Sequence, residues 1–408
     1  ERGWLMTDDG QTSPANFSRT NELNLELNLE PLPGLKIQLT SNRTDSRTRQ
    51  VQFMYADMPT SYAGSFTMTG VAIATALRSS GPDNGYESQA FNRFIENIPV
   101  VAARIESRYA GATYPSGGFM ADNIHAGKPY DPAVGTVSTT GSDVLIPAFM
   151  AAYTSRNPNK QFLNPFPSLS AVRPNWRVTY EGLVNLGRLK DIFKSFTLSH
   201  AYQCTYTVGS YSSYLNWVAI DGSSDLGFTL DELSGQPIPS SPFNISSVAI
   251  NERFAPLIGA AATLKNNLTV NAEWREQRTL TLNTSAGQVV EATTRGITMG
   301  LGYKIIGFNS VLRMRGSQTG VSHDLNITGD FSFAQNQALI RRIETAYTQA
   351  TSGTRTISFN LAAKYQMSRR LNIGTYLEHQ INTPIVSSTA YPTSSTAFGF
   401  SFNLSLAR

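Results

Sequence analysis

The chain has 408 residues, 40% of them hydrophobic and only 15% charged, with a formal net charge of +4. Soluble proteins carry roughly 25% charged residues; here Ser, Thr, Asn and Gly take their place, a composition that suits membrane β-barrels, whose strands need apolar residues on one face only. No stretch approaches the ~20 consecutive apolar residues of a membrane helix, and Lys and Arg form no run, so a helical span and nucleic-acid binding are both excluded.

The chain opens "ERGWLMTDDG", with no basic start leading into an apolar stretch, so no signal peptide is expected. Either one was removed or the chain is a piece of a longer one. Residues 1–70 read as strands. In "ELNLELNLEPLPGLKIQLTSN", Leu23, Leu25, Leu27 and Leu29 share a face, "PLPG" reverses the chain, and Leu35, Ile37 and Leu39 resume the alternation. Period 2 with Pro and Gly punctuation is a β-hairpin signature.

Between 71 and 173 the period changes, and a mainly helical or irregular insertion is expected. "SQAFNRFIENI" and "VVAARIESRYA" read as helical turns around Pro99, and "SDVLIPAFMAAYTS" as a short helix capped by Ser142 or Asp143. By parity the insertion leaves the sheet on its long-loop side, where it can fold over the mouth or into the lumen.

From 174 to 408 the alternation returns. Phe196, Leu198, Tyr202, Tyr206 and Val208 share a face, with the tyrosines placed as girdle aromatics at a membrane boundary. Further alternating runs follow at Ile258–Leu264, Leu268–Trp274, Ile297–Ile305, Leu325–Phe333, Ile357–Met367 and Phe398–Leu406. About fifteen strands are expected, several longer than the ~9 to 11 residues that cross a bilayer. The short joints "SRR", "AQNQ", "IIGF", "KNN" and "PLPG" fall on one side, which reads as periplasmic. Glu276 and Arg278 break the pattern, since they share the parity of Trp274 and Leu280; the strand leaves the membrane there or contains a bulge.

Little points to bond chemistry. The four histidines, His125, His200, His323 and His379, are far apart. His200 and Cys204 share a face but stand roughly 13 Å apart, too far to bind one metal without further ligands. His200 is expected at an exposed interface. Ser199 and His200 point to opposite faces and cannot pair as nucleophile and base. The glycines of "GITMGLGYKIIG" lie within a strand, opposite Met299 and Leu301, and lack the helix a phosphate loop requires. No catalytic, cofactor-binding or metal-ligating residue is assigned, no cofactor is expected, and the chain is expected not to be an enzyme.

Several stretches go beyond pattern. "NPFPSLSAVRPNWRVTYEGL", "FKSFTLSHAYQCTYTVGSY", "NERFAPLIGAAATLKNNLTV" and "NTPIVSSTAYPTSSTAFGFSFNLSLAR", with "RGWL" at the start and "DVLIPAFMAAY" in the insertion, occur in this order. Together they resemble the C-terminal segment of the SprA/Sov family, the outer-membrane translocons of the type IX secretion system of the Bacteroidetes. The resemblance implies an all-β fold: the C-terminal part of a very large transmembrane antiparallel β-barrel in the cell outer membrane, interrupted by a mainly helical insertion. It implies export of folded cargo bearing a C-terminal signal domain, a link to gliding motility, and no chemistry of its own. The implied partners are outer-membrane lipid, the cargo, a smaller PorV-like barrel and a periplasmic secretion motor. The insertion is then the candidate for part of the cap or gate, with plugging by partners as the rival. The alternatives are a self-contained porin of about 14 to 16 strands and a soluble or surface-displayed β-rich binding protein.

Overall fold

A computed structural model describes residues 14–52, 60–78, 80–231, 233–308, 324–367, 371–386 and 391–404. Its first strands are β1 (Ala15–Leu32), β2 (Leu35–Val51) and β3 (Ser61–Thr69). Helices α1 (Ile73–Ala76), α2 (Gln89–Arg108) and α3 (Ser142–Tyr153) follow, then β4 (Asn175–Tyr180), α4 (Leu189–Ile192) and β5 (Phe193–Ser213). Four short strands come next: β6 (Val218–Ala219), β7 (Gly227–Leu230), β8 (Pro237–Ser240) and β9 (Phe243–Ile245). The long strands β10 (Ser247–Leu264), β11 (Leu268–Asn283), β12 (Gln288–Ile305), β13 (Leu325–Arg342), β14 (Thr348–Gln366), β15 (Leu371–Pro384) and β16 (Thr393–Leu404) complete the chain.

Thirteen strands form one antiparallel sheet along the path β1-β2-β3-β5-β10-β11-β12-β13-β14-β15-β16, with β4 and β9 beside it and β6 to β8 in a separate small sheet. Each strand on the path pairs with its neighbours in chain order, so the large sheet is a meander. Strands β1 and β16 form its two edges and are not paired to each other. The first hairpin turns where the sequence places it, with Gly34 at a φ of +80° that a side chain would resist. The end of the sheet that carries this turn is called the lower end below.

The insertion departs from the expectation. Strand β2 pairs with β3 along its upper half, from Arg43 opposite Met68 to Gln50 opposite Ser61. Along its lower half it pairs with β4, from Leu35 opposite Tyr180 to Thr40 opposite Asn175. Strand β5 also borders both. Thus β3 and β4 are the upper and lower halves of a single strand position, and residues 70–174 are spliced into its middle rather than into a joint at the long-loop side. The two ends of the excursion are tied together: the Arg173 amide donates to the Thr69 carbonyl at 3.3 Å, and the Gly70 amide to the Cys204 carbonyl at 3.1 Å.

Two further expectations are corrected. "AQNQ" is no joint: residues 334–337 lie inside β13, because their neighbours in β12 and β14 continue the ladder past them. The reversals at 284–287 and 343–347 on the upper side are as short as several on the lower side, and the lower side also carries the joint 306–324, most of which lies outside the described residues. Loop length therefore does not separate the two ends. The joint "SRR" likewise lies outside the described residues.

The insertion packs as a helical layer. Ser88 caps α2 by accepting the Phe91 amide at 3.3 Å, and Phe91, Phe94, Ile98, Val101 and Ile105 form its buried stripe at helical spacing. The two expected groups of turns are one 20-residue helix that runs through Pro99. Helix α3 is buried nearly all round and starts after Gly141 without a side-chain cap; Asp143 instead accepts the Ser241 amide at 2.7 Å. The two helices meet edge to face at Phe94 and Phe149, 5.9 Å between ring centres.

Candidate functional site: one sheet face in two zones

Cross-strand partners point to the same side of a sheet, so register lines trace each face. One line runs Phe196, Ala262, Val270, Leu301, Gly329, Leu361, Leu377, Phe398 across eight strands. The next line on the opposite face runs Thr197, Ala261, Asn271, Gly300, Asp330, Asn360, Glu378, Ala397. Apolar side chains thus occupy one face of the lower half, and uncharged polar or small ones fill most of the other. Large apolar residues on the first face stand open: Met299 is 51% exposed and Phe400 64%. In β12 the band runs from Ile297 to Ile305, about 26 Å along the strand at ~3.3 Å per residue. Tilted by about 40°, that spans roughly 20 Å, most of the ~25 Å of a barrel's apolar band. These features are those of the wall of an outer-membrane type β-barrel, and the described strands form an open sheet. The glycines of β12 serve its polar face: a Cβ on Gly300 would lie 2.2 Å from Asn271 Oδ1, so its absence leaves room for that amide.

Above the band the same face changes cover. Trp274, Ile297, Phe333, Ile357 and Ile381 form one register row, and two residues higher comes Glu276, Arg295, Gln335, Arg355, Thr383. From there upward, on the strands from β3 to β13, the face is buried beneath the insertion: Phe66, Tyr202, Val208 and Leu280 are fully inaccessible. Three ion pairs anchor the insertion. Arg278 pairs with Glu252, both nearly inaccessible, and also donates to the carbonyl and hydroxyl of Thr75 at 2.7 and 2.8 Å. Arg341, wholly buried, holds Glu291 at 2.8 Å and reaches the Tyr86 carbonyl at 2.6 Å and Ser80 Oγ at 3.1 Å. Arg295 pairs with Glu276 at 2.8 Å and touches the Arg78 carbonyl at 3.4 Å. Each guanidinium couples a sheet carboxylate to the backbone of 75–86, charge-assisted bonds that satisfy groups otherwise stranded by burial.

These contacts settle several residues. Tyr202 and Tyr206 are not girdle aromatics. Their rings lie under the insertion, where the Tyr202 hydroxyl donates to Glu252 at 2.7 Å and accepts the Ala72 amide at 2.9 Å, and Tyr206 donates to the Pro165 carbonyl at 3.1 Å. Glu276 and Arg278 sit in a ladder with no bulge toward β12, so the face persists while its surroundings change. The insertion covers the apolar-parity face and leaves the polar one, against the expectation that it folds over the mouth or into the lumen. His200 is half-buried rather than exposed, with Nδ1 2.6 Å from the Leu257 carbonyl at the β10 irregularity. His125 stacks near Tyr114 at 5.7 Å, His379 bonds Thr396 Oγ1 at 2.8 Å, and His323 lies outside the described residues. Among the described residues no three His, Cys, Asp or Glu side chains gather as metal ligands. Sequence reasoning passed over Glu252, Glu291, Arg295 and Arg341, although each breaks the alternation as Glu276 and Arg278 do.

A cleft of about 500 Å³ opens between α2, the top of β5 and the segment 214–243, lined by Arg47, Tyr62, Arg108, Asp143, Trp217 and Asp225 among others. Arg108 pairs with Asp225 at 2.8 Å across it. Burial pushes the Asp143 carboxyl above its ordinary range despite the Ser241 amide. Behind the cleft, burial raises the Tyr109 phenol, and burial with the adjacent Glu106 carboxylate raises that of Tyr130. These phenols stay protonated and act as hydrogen-bond donors.

No protein-family model matches the chain, and no curated protein matches it. Among solved structures it is similar to in-vitro folded OmpT, an outer membrane protein of Vibrio cholerae, in two forms. The trimer form is 8% identical over 96% of this chain and 99% of that one, with a TM-score of 0.23. The other is 9% identical over 95% of each chain, with a TM-score of 0.22. Scores this low leave the architecture to rest on the sheet itself.

Proposed function

We propose that this chain forms part of the wall of a large outer-membrane β-barrel that conducts folded protein cargo, a type IX translocon of the SprA/Sov kind. The observation that carries the reading is the parity of the sheet. Among the described residues its path has eleven strands, and alternate directions make β1 and β16 run the same way. Single-chain bacterial barrels close on even numbers so that first and last strands meet antiparallel, and in lipid each unpaired backbone group costs several kcal/mol. Both edges therefore call for further strands, and barrel diameter grows with strand number. The ordered motifs that resemble this family support the same conclusion. The polar face, short of charge and rich in Ser, Thr, Asn and Gly, suits a wide wet lumen. The folded mass of the insertion stands above the apolar band, and this reading takes the upper end as the one outside the cell, with the lower turns in the periplasm. Transport through such a wall is passive, and the driving energy comes from partners: a periplasmic motor on one side, a smaller barrel that receives cargo on the other.

The test is to produce residues 1–408 behind a signal peptide and examine them in detergent and in planar bilayers. An edge-exposed, heterogeneous species without a defined conductance is expected. A uniform, heat-modifiable barrel with one reproducible conductance would replace this reading with a self-contained porin.

A further inference from the structure

We infer that the upper boundary of the apolar band carries a binding site for the phosphorylated headgroup of an outer-leaflet lipid, an assignment that rests on the membrane reading above. A polar recess of about 50 Å³ lies between the insertion and strands β12 and β13, lined by Arg78, Ser80, Glu291, Arg295, Gln335 and Gln337. Gln337 is only 7% exposed, yet its buried Nε2 has no hydrogen-bond partner. A buried amide donor left unpaired costs about 1 to 3 kcal/mol, so an acceptor entering the recess gains from meeting it. Two carboxylates stand nearby, and both are already answered: Glu291 by Arg341 at 2.8 Å and Glu276 by Arg295 at 2.8 Å. Two cations remain over. Arg78 on the rim and Arg355, two strands from Arg295 in the same register row, are exposed, and their guanidinium groups have no partner among the described residues. Strand spacing sets Arg355 about 10 Å from Arg295, with Gln335 between them. The recess thus offers amide and hydroxyl donors beneath an uncompensated double positive charge, which selects an anion.

What makes the anion a lipid phosphate is the surface directly below. Ile297, Phe333 and Ile357 stand two residues beneath Arg295, Gln335 and Arg355 on the same strands and the same face. A ligand with its phosphate at the arginines lays its acyl chains along that apolar row. Free phosphate would leave the row unused.

The experiment measures binding of monophosphorylated and of fully dephosphorylated lipid A to the detergent-solubilised 408-residue chain by native mass spectrometry, with inorganic phosphate as competitor. Arg78→Ala with Arg355→Ala touches no contact that holds the insertion. This pair is expected to weaken the phosphorylated lipid at least tenfold and leave the dephosphorylated one unchanged. Gln337→Leu is expected to weaken the phosphorylated lipid severalfold, and protease resistance of residues 72–90 checks that each variant keeps the insertion docked. Equal binding of both lipids, or a double variant that binds like the parent, would overturn the site while leaving the membrane reading in place. Displacement by inorganic phosphate at equal concentration would make this a free-phosphate site and overturn the lipid assignment. Absence of any bound lipid, with the chain soluble without detergent, would sink the membrane reading itself.

Discussion

At the scale of single residues, exposure decides which charges matter. Arg278 and Glu252 are a buried pair whose rupture leaves one charge stranded, at about 3 to 5 kcal/mol. Arg278→Met is therefore expected to lower unfolding stability by that amount and to open residues 72–90 to protease. Arg275 pairs with Glu273 in the open, and Arg275→Ala should change stability by less than about 1 kcal/mol in the same urea titration. Asp143 gives a pH dependence of a definite sign. Its folded carboxyl titrates above the ordinary value, so the folded chain keeps a proton the unfolded chain has lost, and stability falls as pH rises through that window. Asp143→Asn should remove this decline from the stability profile; parallel profiles for parent and variant would show that the carboxyl is not held neutral.

At the scale of one strand, β12 carries both environments on one face: Val289 is buried beneath the insertion, while Met299 and Leu301 stand open. Met299→Arg near the middle of the band is expected to cost about 2 to 4 kcal/mol in assembled barrel, and Thr298→Arg on the polar face far less. Equal losses in a membrane-assembly assay would mean that both faces meet packed protein. The period-2 pattern already says which residues share a face, because alternation follows from the pleat alone. It could not tell that Tyr202 faces a helical layer and Leu198 does not. They lie on one strand with one parity, and only residues more than a hundred positions away distinguish them.

At the scale of the whole molecule, sidedness is the open consequence of the topology. Buried Cys204 is the sole cysteine and leaves a low thiol background. Ala286→Cys at an upper turn is expected to react with an impermeant maleimide on intact cells, and Asn266→Cys at a lower turn only after permeabilisation. The opposite pattern would invert the orientation. Candidate strands, the first hairpin and the helical character of 71–173 were legible from local alternation, turn chemistry and helical spacing. The docking row was not, since its hydrogen bonds join Arg278 to Thr75 and Arg341 to Tyr86 across 203 and 255 residues.

The sequence by itself determined that the chain makes long antiparallel strands with one apolar and one polar face, since these properties are set by neighbours two residues apart. The tertiary structure alone decided that β3 and β4 share one strand position, that the insertion seals the upper half of the apolar-parity face, and that among the described residues the sheet has two unpaired edges. Those outcomes depend on which distant backbones find each other, and strand pairing carries no mark in the local period.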